Sequence, residues 1–464
     1  MVLTNTMIGI GIITIDALTI YLSLWFVKSI TKSRSLFSIN FLSLKVLIDF
    51  LSYSIIGSSV ILLGFGVGYY EHSFMRNSTT QKYVWLATIY SCIFLFFTLF
   101  LLERKTRFKP IHHGYKMMSS SYEGAIRRNL AIFIIALMIL SVFYYLYYCV
   151  RHGYWPFLAM FTNSAEQLSQ IRYNDKFLSS ENTIIKNFLL LVVPPVTSYA
   201  TLFCYRKKRN RFWRNSFLVS FIIASLCLTY RFEKSYFLYY LLGFMIMPQQ
   251  KRQKESSQKE ERRKKRALLI IGVFGLFFVL FVTGGKDSFN LSNIYRSFYR
   301  LFLGQIVGLY RHFELFPGKI DFLKFQYFPT TIAKLFGHEE IRSARIIMME
   351  TYGAGSSSGN MVSLFVGEAY ANGGVISAVL SPIVVAVAIY IQMLILSMME
   401  DNPLTRGCIV FYALNSIPLT GGFLDFLYNP TYIILIIVCL AGSFVSTGRV
   451  KLAIKKPMNN SRIN

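Results

Sequence analysis

The run GVISAVLSPIVVAVAIYIQMLILSM, residues 374–398, contains no charged side chain over 25 consecutive positions. A helix of that length rises about 37 Å, enough to cross the roughly 30 Å hydrocarbon core of a bilayer. Similar apolar runs recur along the chain, and the predicted spans are 4–27, 46–68, 83–102, 130–150, 184–204, 215–230, 234–248, 267–283, 374–398, 407–420 and 430–447. The sequence therefore predicts an all-α integral membrane protein with about eleven transmembrane helices, within a range of about ten to twelve.

The composition supports this class and excludes others. Of 464 residues 54% are hydrophobic, yet the formal net charge is +27. A soluble domain would be less apolar and nearer neutrality. A nucleic-acid-binding protein could be this basic but would not repeat such apolar runs, so we expect no nucleic acid partner. The six cysteines form no CxxC pair, which indicates small apolar residues within helices, and we expect no structural metal and no cofactor.

The basic residues alternate along the predicted topology. They concentrate in the connections 28–34, 104–128, 206–214 and 251–266 and in the tail 449–456. The remaining connections are close to charge balance, so the positive-inside rule places the basic set in the cytoplasm. Eleven spans then put the N-terminus outside and the C-terminus inside. The basic run 251–266 is interpreted as a topology anchor, with anionic lipid binding as the alternative.

The predicted organisation has three parts. Residues 1–283 form transmembrane helices one to eight, residues 284–373 form a large, partly helical outer loop, and residues 374–464 form helices nine to eleven with a basic tail. The outer loop is far longer than topology requires. Because loops of this length usually carry function, we expect the chemistry there.

Two predicted helices in this loop carry arginines at helical spacing. Arg296, Arg300 and Arg311 would lie near one face of a helix over 293–312, and His338, Arg342 and Arg345 would share a face of the next. Guanidinium groups suit a phosphate-bearing substrate because they donate paired hydrogen bonds and keep their charge. Contact with lipid headgroups, or a solvated helix, is the alternative.

Further charged candidates lie beside predicted spans. Glu368 precedes the span that begins at residue 374, where a carboxylate is costly unless paired; a functional site and a structural ion pair are both open. Arg231 and Lys234 lie at a short outer tip between two apolar runs. They indicate either a phosphate clamp or a simple salt bridge with Glu233.

The many spans, the charged tip, the long outer loop and the element Gly367-Glu368-Ala369-Tyr370-Ala371-Asn372-Gly373-Gly374 together resemble one enzyme family. This pattern is similar to the bacterial polysaccharide repeat-unit polymerases of the Wzy type, the O-antigen polymerases. The resemblance covers nearly the whole chain in layout, whereas the motif itself is short. This sequence lacks the aromatic residue that follows the asparagine in many members.

The resemblance implies a GT-C-like membrane glycosyltransferase in the bacterial inner membrane. Its substrate would be undecaprenyl-diphosphate-linked oligosaccharide at the periplasmic face, and a chain-length regulator would be a partner. Lacking a DxD motif, it would use arginines rather than a metal to stabilise the leaving diphosphate. The candidate bases are His338, Glu368 and His312, and the candidate binding residues are Arg231, Lys234, Arg296, Arg300, Arg311, Arg342, Arg345, Tyr370 and Asn372.

Two other functions stay open at this point. An O-antigen ligase would use the same donor with a lipid A-core acceptor, although the Gly-Glu-x-Tyr element favours a polymerase. A transporter or flippase of lipid-linked sugars would place charges within its spans, as Asp16, Lys45 and Asp49 do here. No internal repeat accompanies them.

Overall fold

The computed structural model describes most of the chain. The described ranges are 2–33, 35–64, 77–164, 183–232, 234–247, 302–325, 342–353, 363–415, 421–427 and 430–448, with residues 167, 168, 170, 171, 174, 361 and 419. The described residues form helices and contain no β-strand, which confirms the all-α prediction.

Fifteen helices are defined among the described residues. They are α1 (Val2–Thr31), α2 (Phe41–Leu62), α3 (Ser78–Lys105), α4 (Pro110–Ser119), α5 (Arg128–His152), α6 (Pro156–Thr162), α7 (Ile184–Lys208), α8 (Arg211–Leu228), α9 (Lys234–Ile246), α10 (Val307–Leu315), α11 (Ser343–Tyr352), α12 (Phe365–Met398), α13 (Pro403–Asn415), α14 (Leu424–Leu427) and α15 (Pro430–Thr447). Two contain π-helical stretches, Val46–Ile55 in α2 and Phe188–Val192 in α7, so the backbone hydrogen-bond pattern widens locally there.

Seven segments among the described residues are long and apolar enough to cross a bilayer. They are Met7–Thr31, Phe41–Leu62, Ser78–Lys105, Arg128–His152, Ile184–Lys208, Phe365–Met398 and Leu424–Thr447. Each coincides with a span expected from the sequence. The protein is therefore a multi-pass membrane protein in its helical architecture, while the number eleven and the orientation of the termini stay predictions.

The other predicted spans have different outcomes. Helix α9 and the described part of α13 are shorter than the seven, so the spans predicted there stay predictions. Residues 403–414 of α13 are all buried within the protein. Helix α8 carries arginines in its first turn and is not among the seven, and residues 267–283 lie outside the described residues.

The helices cluster into two compact units. The first comprises Met1–Lys105, Tyr295–Ile391 and Pro418–Asn429, and the second comprises Thr106–Ile294, Gln392–Ile417 and Pro430–Asn464. Each unit joins segments that are far apart in the chain. Segments of the predicted outer loop thus belong to the same unit as the first three helices.

In the first unit, α1, α2 and α3 are tied by one carboxylate. Asp16 of α1 accepts a hydrogen bond from the Ser59 hydroxyl of α2 at 2.6 Å and from the Trp85 indole N–H of α3 at 3.0 Å. Each carboxylate oxygen therefore has a donor, which offsets the cost of placing Asp16 in an apolar span. The same unit packs α10 against α3 and α11.

In the second unit, α7 and α13 form the centre, surrounded by α4, α5, α8, α9 and α15. Arg406 of α13 binds Asp401 through two nitrogens, at 2.6 and 2.9 Å, and donates to the Ser120 carbonyl at 2.6 Å. Its guanidinium also lies over the rings of Tyr122 and Phe203. This buried arginine fixes the connection after α4 to the helical core.

We expect Trp85→Phe to lower the stability of the first unit, because it leaves one Asp16 oxygen without its indole donor. Hydrogen bonds between membrane helices contribute about 0.6 kcal/mol on average and up to about 1.7 kcal/mol. Thermal unfolding in detergent measures the loss. The matched control is Trp25→Phe on the exposed face of α1, and an equal loss in both variants would contradict the role of the Asp16 hydrogen bond.

Candidate functional site

Helix α12 is broken near its N-terminal end. Gly373 and Gly374 have non-helical backbone angles, with φ −139° and ψ 20°, then φ 65° and ψ −152°. The second pair is essentially restricted to glycine, so Gly374 is required by the backbone itself. The break frees the carbonyls of Ala371 and Asn372, and these accept the N–H groups of Leu323 and Lys324, each at 2.9 Å.

The break gives the Gly-Glu-x-Tyr element a setting that the sequence did not predict. Helix α12 consists of two helical stretches that meet at the glycines: the first begins at Phe365, and the second covers the span predicted to begin at residue 374. Glycine is a poor helix former, which suits two adjacent glycines at the break. We call residues 365–372 the N-terminal half-helix.

Glu368 lies on the N-terminal half-helix and is 8% exposed. Its Oε2 accepts the N–H of Leu424 at 3.1 Å, and the N–H of Phe423 also faces the carboxyl. A Cβ on Gly422 would overlap this carboxylate, so glycine at 422 makes the space that Glu368 occupies. The α14 segment is therefore built around the Glu368 side chain.

Arg342 and Asp425 complete a charged cluster with Glu368. The Arg342 guanidinium lies 3.4 Å from the Asp425 carboxylate, and both side chains are partly exposed. Asp425 Oδ2 also accepts the N–H of Gly422 at 3.2 Å. Asp425 acts on the Glu368 carboxyl by repulsion and Arg342 by attraction. We call Arg342, Glu368 and Asp425 the carboxylate–arginine cluster.

Asn372 lies one helical turn after Glu368 and is 2% exposed. Its Nδ2 donates to the Glu368 carbonyl at 2.8 Å, whereas its buried Oδ1 has no hydrogen-bond partner among the described residues. Buried acceptors are nearly always satisfied in folded proteins. The Nδ2 hydrogen bond stabilises the helical turn that follows Glu368, and the role of Asn372 in binding a substrate stays a prediction.

His312 of α10 is enclosed by protein groups, and its predicted catalytic role is not tested by these contacts. It is fully buried; its Nδ1 donates to the Gly308 carbonyl at 2.7 Å, and its Nε2 accepts from the Ser343 hydroxyl at 2.9 Å. Burial lowers the pKa of His312 from 6.5 to about 4. With both nitrogens engaged and the ring neutral, His312 connects α10 to the first residue of α11, next to Arg342.

Arg311 and Tyr370 also make contacts within the first unit. Arg311 donates to the Thr351 hydroxyl at 2.9 Å and to Glu314 at 3.3 Å, so it bridges α10 and α11. The Tyr370 ring stacks on Phe313 with centroids 4.4 Å apart. Both side chains keep partial exposure. Their roles in binding a substrate stay predictions.

The prediction that His338, Arg342 and Arg345 share one face of a single helix is wrong. Helix α11 begins at Ser343, and Arg342 is its N-cap with an extended backbone at φ −94° and ψ 139°. A helix cannot continue through that conformation. Arg345 lies in the first turn of α11 with partial exposure, while His338 is outside the described residues.

The remaining candidates do not join the cluster in the described structure. Arg231 belongs to the second unit, where its guanidinium lies 5.8 Å from the centre of the Tyr236 ring. Lys234 is the first residue of α9. Arg296 and Arg300 lie outside the described residues.

Asp425 was missed in the sequence, although it shares the cluster with two residues that were identified. It follows Gly421-Gly422 and precedes the last apolar run. A carboxylate beside a membrane helix is the same signal that identified Glu368. Its partnership with Arg342 spans 83 positions of the chain, which no local pattern reports.

The cluster combines a partly exposed cation that can contact phosphate, its carboxylate partner and a buried carboxyl that can accept a proton. Among the described residues no group of three or more His, Cys, Asp or Glu side chains could hold a metal ion. No family model, curated protein sequence or solved structure matches this chain.

We expect His312 to make folding sensitive to acid. Its folded pKa of about 4 lies below the ordinary 6.5, so the unfolded chain binds the proton more readily. The contribution is fully present above about pH 6.5 and is lost as the pH falls towards 4, by up to about 3 kcal/mol. Unfolding measured between pH 4 and 7 should show less acid sensitivity in His312→Gln than in the wild type or in His113→Gln. An unchanged profile in His312→Gln would contradict this origin.

We expect Gly422→Ala to destabilise the protein by about 1–3 kcal/mol, because the new methyl overlaps the Glu368 carboxylate. In a Glu368→Ala background the same change should cost little, since the overlapping group is gone. Thermal unfolding of the four proteins gives the coupling between the two sites. Gly11→Ala, where a Cβ meets nothing within 4 Å, is the control; additive losses would refute the contact.

Proposed function

We propose that this protein is a membrane glycosyltransferase that polymerises undecaprenyl-diphosphate-linked oligosaccharide repeat units at the periplasmic face of a bacterial inner membrane. The product would be O-antigen or a related surface polysaccharide. The observation that carries the proposal is the carboxylate–arginine cluster beside the break in α12. It is supported by the resemblance of the Gly-Glu-x-Tyr element, on which Glu368 itself lies.

The proposed reaction exchanges one glycosidic bond for another. The bond between the donor's anomeric carbon and its diphosphate oxygen breaks, and the lipid diphosphate leaves with the electron pair. An acceptor hydroxyl oxygen forms the new bond to that carbon, and its proton passes to the carboxylate of Glu368. Sugar transfer then conserves all atoms without an oxidant or a reductant.

Each cluster residue has a role that fits its surroundings. Arg342 is partly exposed and carries a permanent charge, so it can bind the diphosphate as negative charge develops on it. Asp425 holds the guanidinium by its 3.4 Å contact. Glu368 is buried beside this pair, where a carboxyl suits proton transfer.

A ligase would use the same leaving group and the same cluster, and differs in its acceptor. The polymerase proposal therefore concerns the acceptor: a second lipid-linked repeat unit rather than a lipid A-core. A chain-length regulator is the proposed protein partner. Arginine rather than a metal ion would neutralise the diphosphate, in keeping with the absence of a DxD motif in the sequence.

A transporter of lipid-linked sugars is the second candidate, and the broken helix α12 favours it. Discontinuous membrane helices with exposed backbone groups commonly hold substrates in transporters. Here, however, the carbonyls freed at the break are already bonded to Leu323 and Lys324. These two carbonyls are therefore not available to a transported substrate, and the glycosyltransferase is the better supported function.

The purified full-length protein should convert undecaprenyl-diphosphate repeat units into a ladder of longer glycans, seen by gel or mass spectrometry. We expect Arg342→Ala and Glu368→Gln each to lower the rate by about a hundredfold or more. Lys319→Ala, an exposed cation of the same unit, is the matched control and should keep wild-type activity. A chelator should leave the ladder intact.

Distinct results would overturn distinct parts of the proposal. Full activity in both cluster variants would remove the cluster from the reaction, and abolition by a chelator would refute the metal-independent mechanism. A single transfer to lipid A-core without a ladder would identify a ligase. Movement of the lipid-linked sugar across a vesicle bilayer, without a new glycosidic bond, would identify a transporter.

A further inference from the structure

A groove of about 740 Å³ lies in the second unit between the beginning of α5 and the end of α15. Its apolar walls come from Ile132, Phe133, Ala136, Phe444 and Val445. Asn129, Ser446, Thr447 and Gly448 line its polar end. The volume falls within the range of about 300–1,000 Å³ that is usual for small-molecule sites.

The groove is amphipathic along its length: its lining residues are uncharged, and two arginines lie beside its polar end. The polar residues lie where the two helices meet the basic connection that precedes α5, and none of the nine lining residues is acidic. Arg127 reaches across this end, because its guanidinium donates to the Ser446 carbonyl at 2.6 Å. Arg128 begins α5 next to Asn129 and is exposed.

The surroundings indicate what fills the groove. Ile132 is 57% exposed and Phe444 is 59% exposed, and both lie on helices apolar enough to cross a bilayer. Such side chains on spanning helices face hydrocarbon. An occupant must therefore carry an apolar chain along the walls and an anionic group at the arginine end, which is the chemistry of an anionic phospholipid.

We infer that this groove is a binding site for an anionic phospholipid of the leaflet on the basic side of the protein. The acyl chain lies along Ile132, Ala136 and Phe444, and the phosphate contacts the guanidinium groups of Arg127 and Arg128. Arginine suits the headgroup because its planar fork donates two hydrogen bonds to phosphate oxygens. The site lies in a different unit from the carboxylate–arginine cluster and does not depend on the proposed function.

Native mass spectrometry of the detergent-purified full chain tests this site. Titration with phosphatidylglycerol and with phosphatidylcholine of the same acyl chains should show one preferentially bound anionic lipid. The double variant R127Q/R128Q should weaken phosphatidylglycerol binding by about tenfold or more, since each basic residue near a membrane surface contributes several-fold. Ala136→Trp should weaken binding by filling the apolar part without changing charge.

The matched control is R211Q/R214Q, which removes two exposed arginines from the beginning of α8 in the same unit. It should keep wild-type lipid binding. Equal affinity of the wild type for the two lipids would overturn the inference, as would an equal loss in the control pair, which would mean attraction by net charge alone. Unchanged binding in Ala136→Trp would exclude the groove as the acyl site. Thermal unfolding of each variant confirms that the compared proteins are folded.

Discussion

The constraint on which the rest of the structure depends is that a bilayer interior offers no hydrogen-bond partner to a peptide group. Helices meet it by pairing their own backbone, and the described residues are accordingly helical. The one break within the long helix α12 shows what an exception requires. Ala371 and Asn372 lose their helical donors at Gly373 and Gly374, and the segment 320–325 supplies replacements. The candidate site exists because that segment and the half-helix are held together.

The carboxylates of the first unit also need hydrogen-bond partners, because an uncompensated charge costs more free energy in an apolar environment than an unpaired peptide group does. Removing a carboxylate from water is costly without compensation, and Asp16 and Glu368 both have identified donors. Asp16 has Ser59 and Trp85, one on each oxygen. Glu368 has backbone N–H groups from the α14 segment, with Arg342 and Asp425 beside it. The donors to Asp16 are a serine and a tryptophan that connect neighbouring helices, whereas a partly exposed cation, Arg342, lies beside Glu368. This difference favours Glu368 as the reacting group.

His312 and Arg406 show how buried polar side chains position such sites. His312 gives both ring nitrogens to protein groups and thereby fixes α10 to the start of α11, where Arg342 is the N-cap. Arg406 performs the corresponding role in the second unit by binding Asp401 and the Ser120 carbonyl. Both are enclosed, and their polar atoms hold neighbouring elements in place. Arg342 differs because its side chain is partly exposed, which allows contact with a substrate.

The sequence by itself determined the class of this protein and the positions of seven spans, because bilayer thickness imposes a length and an apolarity that can be counted along the chain. It also identified Glu368 and Arg342, because a carboxylate beside a span and an arginine in an outer loop are unusual in themselves. The sequence alone does not show how much of the apolar run of α13 is buried within the protein. Only the tertiary structure decided that Arg342 faces Asp425 across 83 positions, that His312 is enclosed and that a helical stretch over residues 365–372 precedes the break in α12. Those features depend on contacts between distant segments, and local periodicity contains no information about them.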